Sequence, residues 1–411
     1  MKRQLLTASL SLILILISLS CKKSAETNVP APTTDSFKVV VNNGYGSGTY
    51  RTGDTVHIFT SPYSTNQIFD KWSGDVSILN APDEWHTWFI MPDRNVTLSG
   101  SVKNITPFTL QYEQIMGRDR LKPVYSYFPA GHKGIVYLLH GTNGTAANIV
   151  GDYEWQQLIK DLVNDHFAVI VTEAEEASTR VDANGDGKLR WYLLPADTTD
   201  NVDYANIRII TDTFYNRGVT DRSKPRYSIG MSDGGFFSGA LSYMYHFKAA
   251  VQYCAQGSTN LMQITSIPTQ FCMMANDNNS SVGAAGNAEA LSDFNSLAGR
   301  GVCSKYFINE RSPIYPERFA RSGAISATQS VAIYNELKSK GYIDNKSYYI
   351  GYSDAFMNAF TSNPASFPVI SSLTIPQQVF VLEQINVSVA DHHIYSDYDR
   401  ATLKFLDNQC D

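Results

Sequence analysis

From residue 104 onward, continuous apolar runs bounded by turn residues alternate with longer amphipathic stretches. GIVYLLHG, FAVIVTEA, RYSIGMS, AAVQYCAQG and PTQFCMMAND read as strands buried on both faces. EWQQLIKDLVNDH, NVDYANIRIITDTFYNRG and GGFFSGALSYMYHF read as the helices between them. Such strands need cover on both sides, which predicts an α/β fold: a mostly parallel sheet with helices on both faces. FTLQYEQIMG and LKPVYSYFPA alternate apolar with polar and predict an antiparallel pair at the sheet's edge. Residues 37–103 have another rhythm, with the short runs FKVVVNN, GTYRTGDTVHIFTSP, TWFIMP and NVTLSGSV separated by Gly, Asn and Pro. They predict a small all-β domain ahead of the α/β domain at 104–411. In so small a module, Trp72, Trp85 and Trp88 serve more readily as core than as a binding face.

The N-terminus carries a targeting pattern. Lys2 and Arg3 precede an apolar run from Leu5 to Leu19, and Cys21 follows Ser18-Leu19-Ser20. A basic start, a short apolar run and small residues describe a secretory signal peptide. The cysteine after them resembles the lipobox of bacterial lipoproteins. That resemblance implies a processed signal at 1–21, lipid on Cys21, and a membrane-anchored place in the bacterial cell envelope. The Pro-, Thr- and Ser-rich stretch 22–36 reads as a flexible tether. A net charge of −6 argues against nucleic acid as a partner. Cys254, Cys272, Cys303 and Cys410 remain; four cysteines allow three pairings, and Cys254 and Cys272 in their apolar runs read equally well as buried free thiols.

The chemistry centres on Gly230-Met231-Ser232-Asp233-Gly234, between the strand RYSIG and a helix. This is where the α/β-hydrolase fold holds a nucleophilic serine on a sharp strand-to-helix turn. Acyl transfer also needs two amide donors for an oxyanion. The amide of Asp233 is one, and Thr142, in HGTNGTAANI after an earlier strand, supplies the other. His140 precedes the serine, whereas this fold orders its triad serine, acid, base, so His140 is assigned to shaping the oxyanion loop. Asp277, closing PTQFCMMAND, is the expected acid. After Ser232 the histidines are His246, His392 and His393; His246 lies too early, so the base comes from the pair.

Residues 106–411 resemble the esterases related to polyhydroxyalkanoate depolymerases and feruloyl esterases. HGTNGTAANI, NVDYANIRIITDTFYNRGVTDRSKPRYSIGMSDGG and the terminal histidine carry the likeness. It implies a serine carboxylic-ester hydrolase acting through an acyl-enzyme. The substrate would be a polysaccharide-linked feruloyl or acetyl ester, or a polyester, and the chemistry needs no cofactor. It favours His392 as the base, with His393 as the alternative. The order YGSGTYRTGDTVHI, FDKWSGD, FIMPDRNVTLSG resembles an internalin-type bacterial repeat, which implies a spacer or adhesion module. A serine peptidase, or a surface adhesion protein with an inert hydrolase fold, are the competing readings. SPIYPERFARSGAIS, within 300–375, departs from the family and is read as a lid or substrate loop. Asp182, Asn184 and Asp186 match the first half of an EF-hand loop, but Leu193 stands where its bidentate Glu belongs. The loop is either a partial structural calcium site or an Asx-stabilised turn.

Overall fold

The computed structural model describes residues 35–408 and 410. Cys21, the signal segment and most of the tether lie outside the described residues. From Ser36 onward the chain forms one compact unit, and among the described residues no helix is long and apolar enough to cross a membrane.

Seven strands come first: β1 (Ser36–Asn42), β2 (Gly44–Tyr45), β3 (Gly48–Arg51), β4 (Thr55–Thr60), β5 (Gln67–Gly74), β6 (His86–Ile90) and β7 (Val96–Asn104). They make two small sheets, ordered β3-β1-β7-β5 and β2-β4-β6. Val39, Val56, Ile58, Phe89, Val96 and Leu98 fill the space between them. Trp72 and Trp85 are buried core, and Trp88 is half-buried.

Eight further strands follow: β8 (Gln111–Met116), β9 (Leu121–Tyr127), β10 (Gly134–Leu139), β11 (Phe167–Val171), β12 (Arg226–Met231), β13 (Ala249–Tyr253), β14 (Thr269–Met274) and β15 (Ser304–Asn309). They form one sheet in the order β15-β14-β13-β12-β10-β11-β9-β8. The pairs from β11 through β10 to β15 are parallel, and β8 and β9 form the antiparallel pair at the edge. Along β10, Val136 and Leu138 pack into one apolar cluster with Leu158 and Leu162 of the helix Tyr153–Asn164. Ile135, Tyr137 and Leu139 pack into another, with Ile207 and Ile210 of the helix Val202–Asn216 and Leu241 of the helix Asp233–Tyr245. Strand alternation thus sends each neighbour to an opposite helical layer. Burial of each such side chain contributes about 1.5–3 kcal/mol. This is the α/β-hydrolase fold.

Two features depart from the sequence reading. Residues 304–309 (SKYFIN) close the sheet as β15, paired in parallel with β14. The strand is only partly buried, so its apolar pattern is weak. The segment read as a lid is interior: Ile314, Phe319 and Ile325 are fully buried. They share an apolar cluster with Ile333, Leu337, Phe380 and Val381 from the helices Ala327–Ser339 and Ile375–Val389. Its apolar residues are irregularly spaced because, apart from the short 3-10 turn Arg318–Ala320, they face a helical layer from irregular chain. Of the cysteines, Cys303 and Cys410 are joined by a disulfide, and Cys254 and Cys272 are buried free thiols.

Candidate active site

Ser232 sits where β12 ends and the helix Asp233–Tyr245 begins, with φ 56° and ψ −123°. This conformation costs a non-glycine residue about 1–3 kcal/mol and persists only where the surroundings impose it. They do so through close backbone approach. A Cβ on Gly230 would lie 1.9 Å from the Gly234 carbonyl oxygen, and one on Gly234 would lie 2.3 Å from that of Leu139. Glycine at these two positions therefore lets the turn close against the end of β10. The amide of Ser232 donates to the Tyr253 carbonyl at 2.8 Å, anchoring the turn to β13.

The Ser232 hydroxyl lies 2.9 Å from His392 Nε2, and His392 Nδ1 lies 2.7 Å from Asp277 Oδ2. With the carboxylate accepting from Nδ1–H, Nε2 is left to accept from the hydroxyl. The other carboxylate oxygen of Asp277 accepts from the Asn279 amide at 2.8 Å. The side chain of Asp277 is wholly buried, while Ser232 and His392 stay partly exposed.

Sequence reasoning missed the residues that join the loops bearing Asp277 and His392. Asp391 Oδ1 accepts from the amides of Asn278 at 2.9 Å and His392 at 2.7 Å. Asn276 donates from its amide to the Ala390 carbonyl and from its side chain to that of Val389, both at 2.9 Å. Its side chain meets residues more than a hundred positions away, a contact that local pattern does not contain.

The loop after β10 abuts the serine: a Cβ on Gly141 would lie 3.1 Å from Ser232 Cβ. Thr142 follows on this loop. His140 is buried, donates from Nδ1 to the Gly141 carbonyl at 2.7 Å and accepts at Nε2 from the Ala174 amide at 3.0 Å. Burial holds its pKa down to about 4, so the ring is neutral and acts as a fixed brace. The Asp233 side chain accepts from the Trp191 amide at 2.9 Å, and burial raises its pKa to about 6.

His393 does not reach the serine. It pairs at 3.3 Å with Asp152, and like His392 it stays partly exposed. Burial pulls its pKa down, but the carboxylates of Asp152, Glu383 and Glu154 outweigh this and bring it to about 9. Asp182, Asn184 and Asp186 lie in an exposed loop. The Asp182 carboxylate accepts from the Gly185 and Gly187 amides at 2.7 and 2.6 Å, and Asn184 from that of Asp186 at 3.0 Å. Those are Asx-turn contacts. Among the described residues, two other groups converge closely enough to hold an ion: Cys254, Asp277 and His392, and Asp152, Glu383 and His393. In the first, Ser232 and Asp277 already occupy both imidazole nitrogens.

No protein-family model and no curated protein sequence matches the chain. Solved structures match it in outline. A ferulic acid esterase is 11% identical with a TM-score of 0.37, covering 49% of this chain and 89% of that one. A CIB-like hydrolase from Thermoplasma acidophilum is 16% identical with a TM-score of 0.35, over 50% and 88% of the two chains. A cold-adapted esterase from an Arctic intertidal metagenomic library is 16% identical with a TM-score of 0.34, over 48% and 82%. At this distance they do not bear on the chemistry, which rests on the site itself.

Proposed function

We propose that this protein is a serine carboxylic-ester hydrolase working through an acyl-enzyme. The observation that carries the reading is the unbroken chain Ser232–His392–Asp277 with its serine on a strained turn. Ser232 Oγ attacks the ester carbonyl carbon as His392 Nε2 takes the hydroxyl proton. The tetrahedral oxyanion is held by the amides of Thr142 and Asp233, the latter at the start of a thirteen-residue helix whose dipole favours negative charge there. The C–O bond to the alcohol breaks, and the imidazolium returns the proton to the leaving oxygen. Water then attacks the acyl-enzyme with His392 again as base, releasing the acid and restoring the serine. Asp277 holds the imidazole in the tautomer that accepts from serine and stabilises the imidazolium.

The substrate we propose is an acyl ester on polysaccharide, feruloyl or acetyl, or a polyester. The partial exposure of Ser232 and His392 suits an ester carried on a bulky alcohol. The N-terminal pattern supports export and anchoring through lipid on Cys21 at the cell envelope, and the Asp182–Asp186 loop is proposed as a structural calcium site that takes no part in catalysis. A fluorophosphonate probe tests the core of the reading: it should label wild type and not Ser232→Ala, in parallel with hydrolysis of p-nitrophenyl acetate. Labelling that survives in Ser232→Ala would sink the assignment. Cys21→Ser should release the protein from membranes; a variant that stays membrane-bound removes the anchor.

A further inference from the structure

Beside His392 the chain turns its second histidine the other way. His393 Nε2 lies 3.3 Å from Asp152 Oδ2, and with an oxygen of Glu383 these atoms all fall within 4.8 Å of one another. The three residues come from separate elements. Asp152 caps the helix Tyr153–Asn164, Glu383 lies in the helix Ile375–Val389, and His393 is on the base loop. Asp152 uses Oδ1 for the cap, accepting from the Glu154 and Trp155 amides at 2.9 and 3.1 Å, so Oδ2 is the oxygen that faces the cluster.

The contact does not have the form of a strong hydrogen bond. Charge-assisted N–H···O bonds run about 2.7–2.9 Å, and the buried His393 Nε2 has no aligned acceptor. Its 3.3 Å separation from Asp152 is instead about the edge of a tetrahedron of oxygen and nitrogen ligands at about 2.0 Å from zinc. Two carboxylates face one imidazole, and the nearby Glu154 is already paired with Arg321 at 2.9 Å. Asp152 and Glu383 also line a cavity of about 640 Å³ between the helices Ala146–Gly151 and Ile375–Val389. The cavity gives a hydrated ion a way to the two carboxylates.

We propose that Asp152, Glu383 and His393 form a zinc site with water completing the coordination. Bound there, the ion ties the loop bearing His392 to two helices. The site goes beyond the hydrolase reading and its test does not use catalysis, so either can fail without the other. The purified full-length chain is titrated calorimetrically with zinc chloride, and the loaded protein is examined by X-ray absorption. One zinc per chain is expected, with an oxygen and nitrogen shell that includes one imidazole and no sulfur. Glu383→Gln and Asp152→Asn should each weaken binding about 10-fold or more. Both substitutions keep side-chain shape, and Asn still caps a helix; circular dichroism without zinc checks their fold. If one fails to fold, the other variant and the absorption spectrum decide. Zinc should also raise the thermal midpoint of wild type. Absence of binding at micromolar zinc, unchanged affinity in the folded variants, or a sulfur ligand pointing to Cys254 would each overturn the proposal.

Discussion

Two aspartate–histidine chains among the described residues share an outline and end on different groups. In one, Asp277 orients His392 and His392 meets the hydroxyl of Ser232. In the other, Asp397 pairs with His86 of the β module, and His86 Nε2 lies 3.0 Å from His57 Nδ1. The first has a partly exposed imidazole and a serine on a strained turn. The second is buried between β4, β6 and the C-terminal segment and ends on another imidazole. Burial keeps His57 neutral, its pKa lowered to about 3, and also lowers that of His86 against the pull of Asp397. An oriented imidazole is therefore not itself a sign of catalysis. What lies beyond its second nitrogen, and whether substrate can reach it, decides.

Both chains draw on one short segment. Residues 391–399 deliver His392 to the serine and then Ser396 and Asp397 to the seam with the β module. There the Trp85 indole donates to the Ser396 carbonyl at 3.2 Å. The Arg321 guanidinium lies 3.7 Å from the centre of the Trp85 ring and 2.9 Å from Glu154. Glu84 accepts from the Arg400 and Ala401 amides at 3.3 and 2.8 Å, where the helix Asp399–Asn408 opens its first turn. The β module thus helps hold the segment that carries His392.

The comparison can be broken most sharply at the serine chain. Ser232→Ala or His392→Ala should lower kcat by about 10⁴- to 10⁶-fold, and Asp277→Asn by about 10⁴-fold, with the fold intact. His86→Ala should leave kcat of the folded protein within a few-fold of wild type; a loss comparable to that of His392→Ala would make the seam part of the catalytic machinery. The next largest effect belongs to stability. His86→Ala removes a hydrogen-bond donor from the buried Asp397 carboxylate, and losing a hydrogen bond to a charged group costs about 1.5–3 kcal/mol. Urea unfolding should show this loss, while Ser232→Ala, which relieves no buried charge, should shift the midpoint far less.

Titration separates the two regions further. Burial raises the pKa of Glu84 from 4.5 to about 8, even though backbone hydrogen bonds oppose it. A carboxyl whose pKa is higher folded than unfolded binds its proton more tightly in the native state. Its contribution to stability is therefore fully present below about pH 4.5 and is lost as pH rises towards 8. Thermal midpoints should show this decline, and Glu84→Gln should flatten it; an unchanged slope would remove Glu84 as its source. The smallest effect concerns the Asp182 loop. Added calcium should raise the thermal midpoint slightly and EDTA should reverse it, without changing kcat. No shift with either would leave the loop as an Asx turn.

The layered fold and the serine were legible in the sequence because their signals are local. Fully buried strands such as GIVYLL and FAVIV must be continuously apolar, and GMSDG needs glycine wherever backbone would strike a Cβ. Asp277 and the histidine pair were legible from order along the chain. The choice between His392 and His393 was not a matter of physics at that stage: both are imidazoles in the same loop, and the resemblance alone favoured the first. Tertiary structure separates them, setting Asp277 against the ring of His392 and Asp152 against that of His393. It likewise decided the Cys303–Cys410 bridge, the interior place of Ile314 and Phe319, and the Asp397–His86–His57 chain. Each depends on residues distant in sequence meeting across packed layers, and one chain's pattern of apolar and polar positions records that a residue is buried but not what it is buried against.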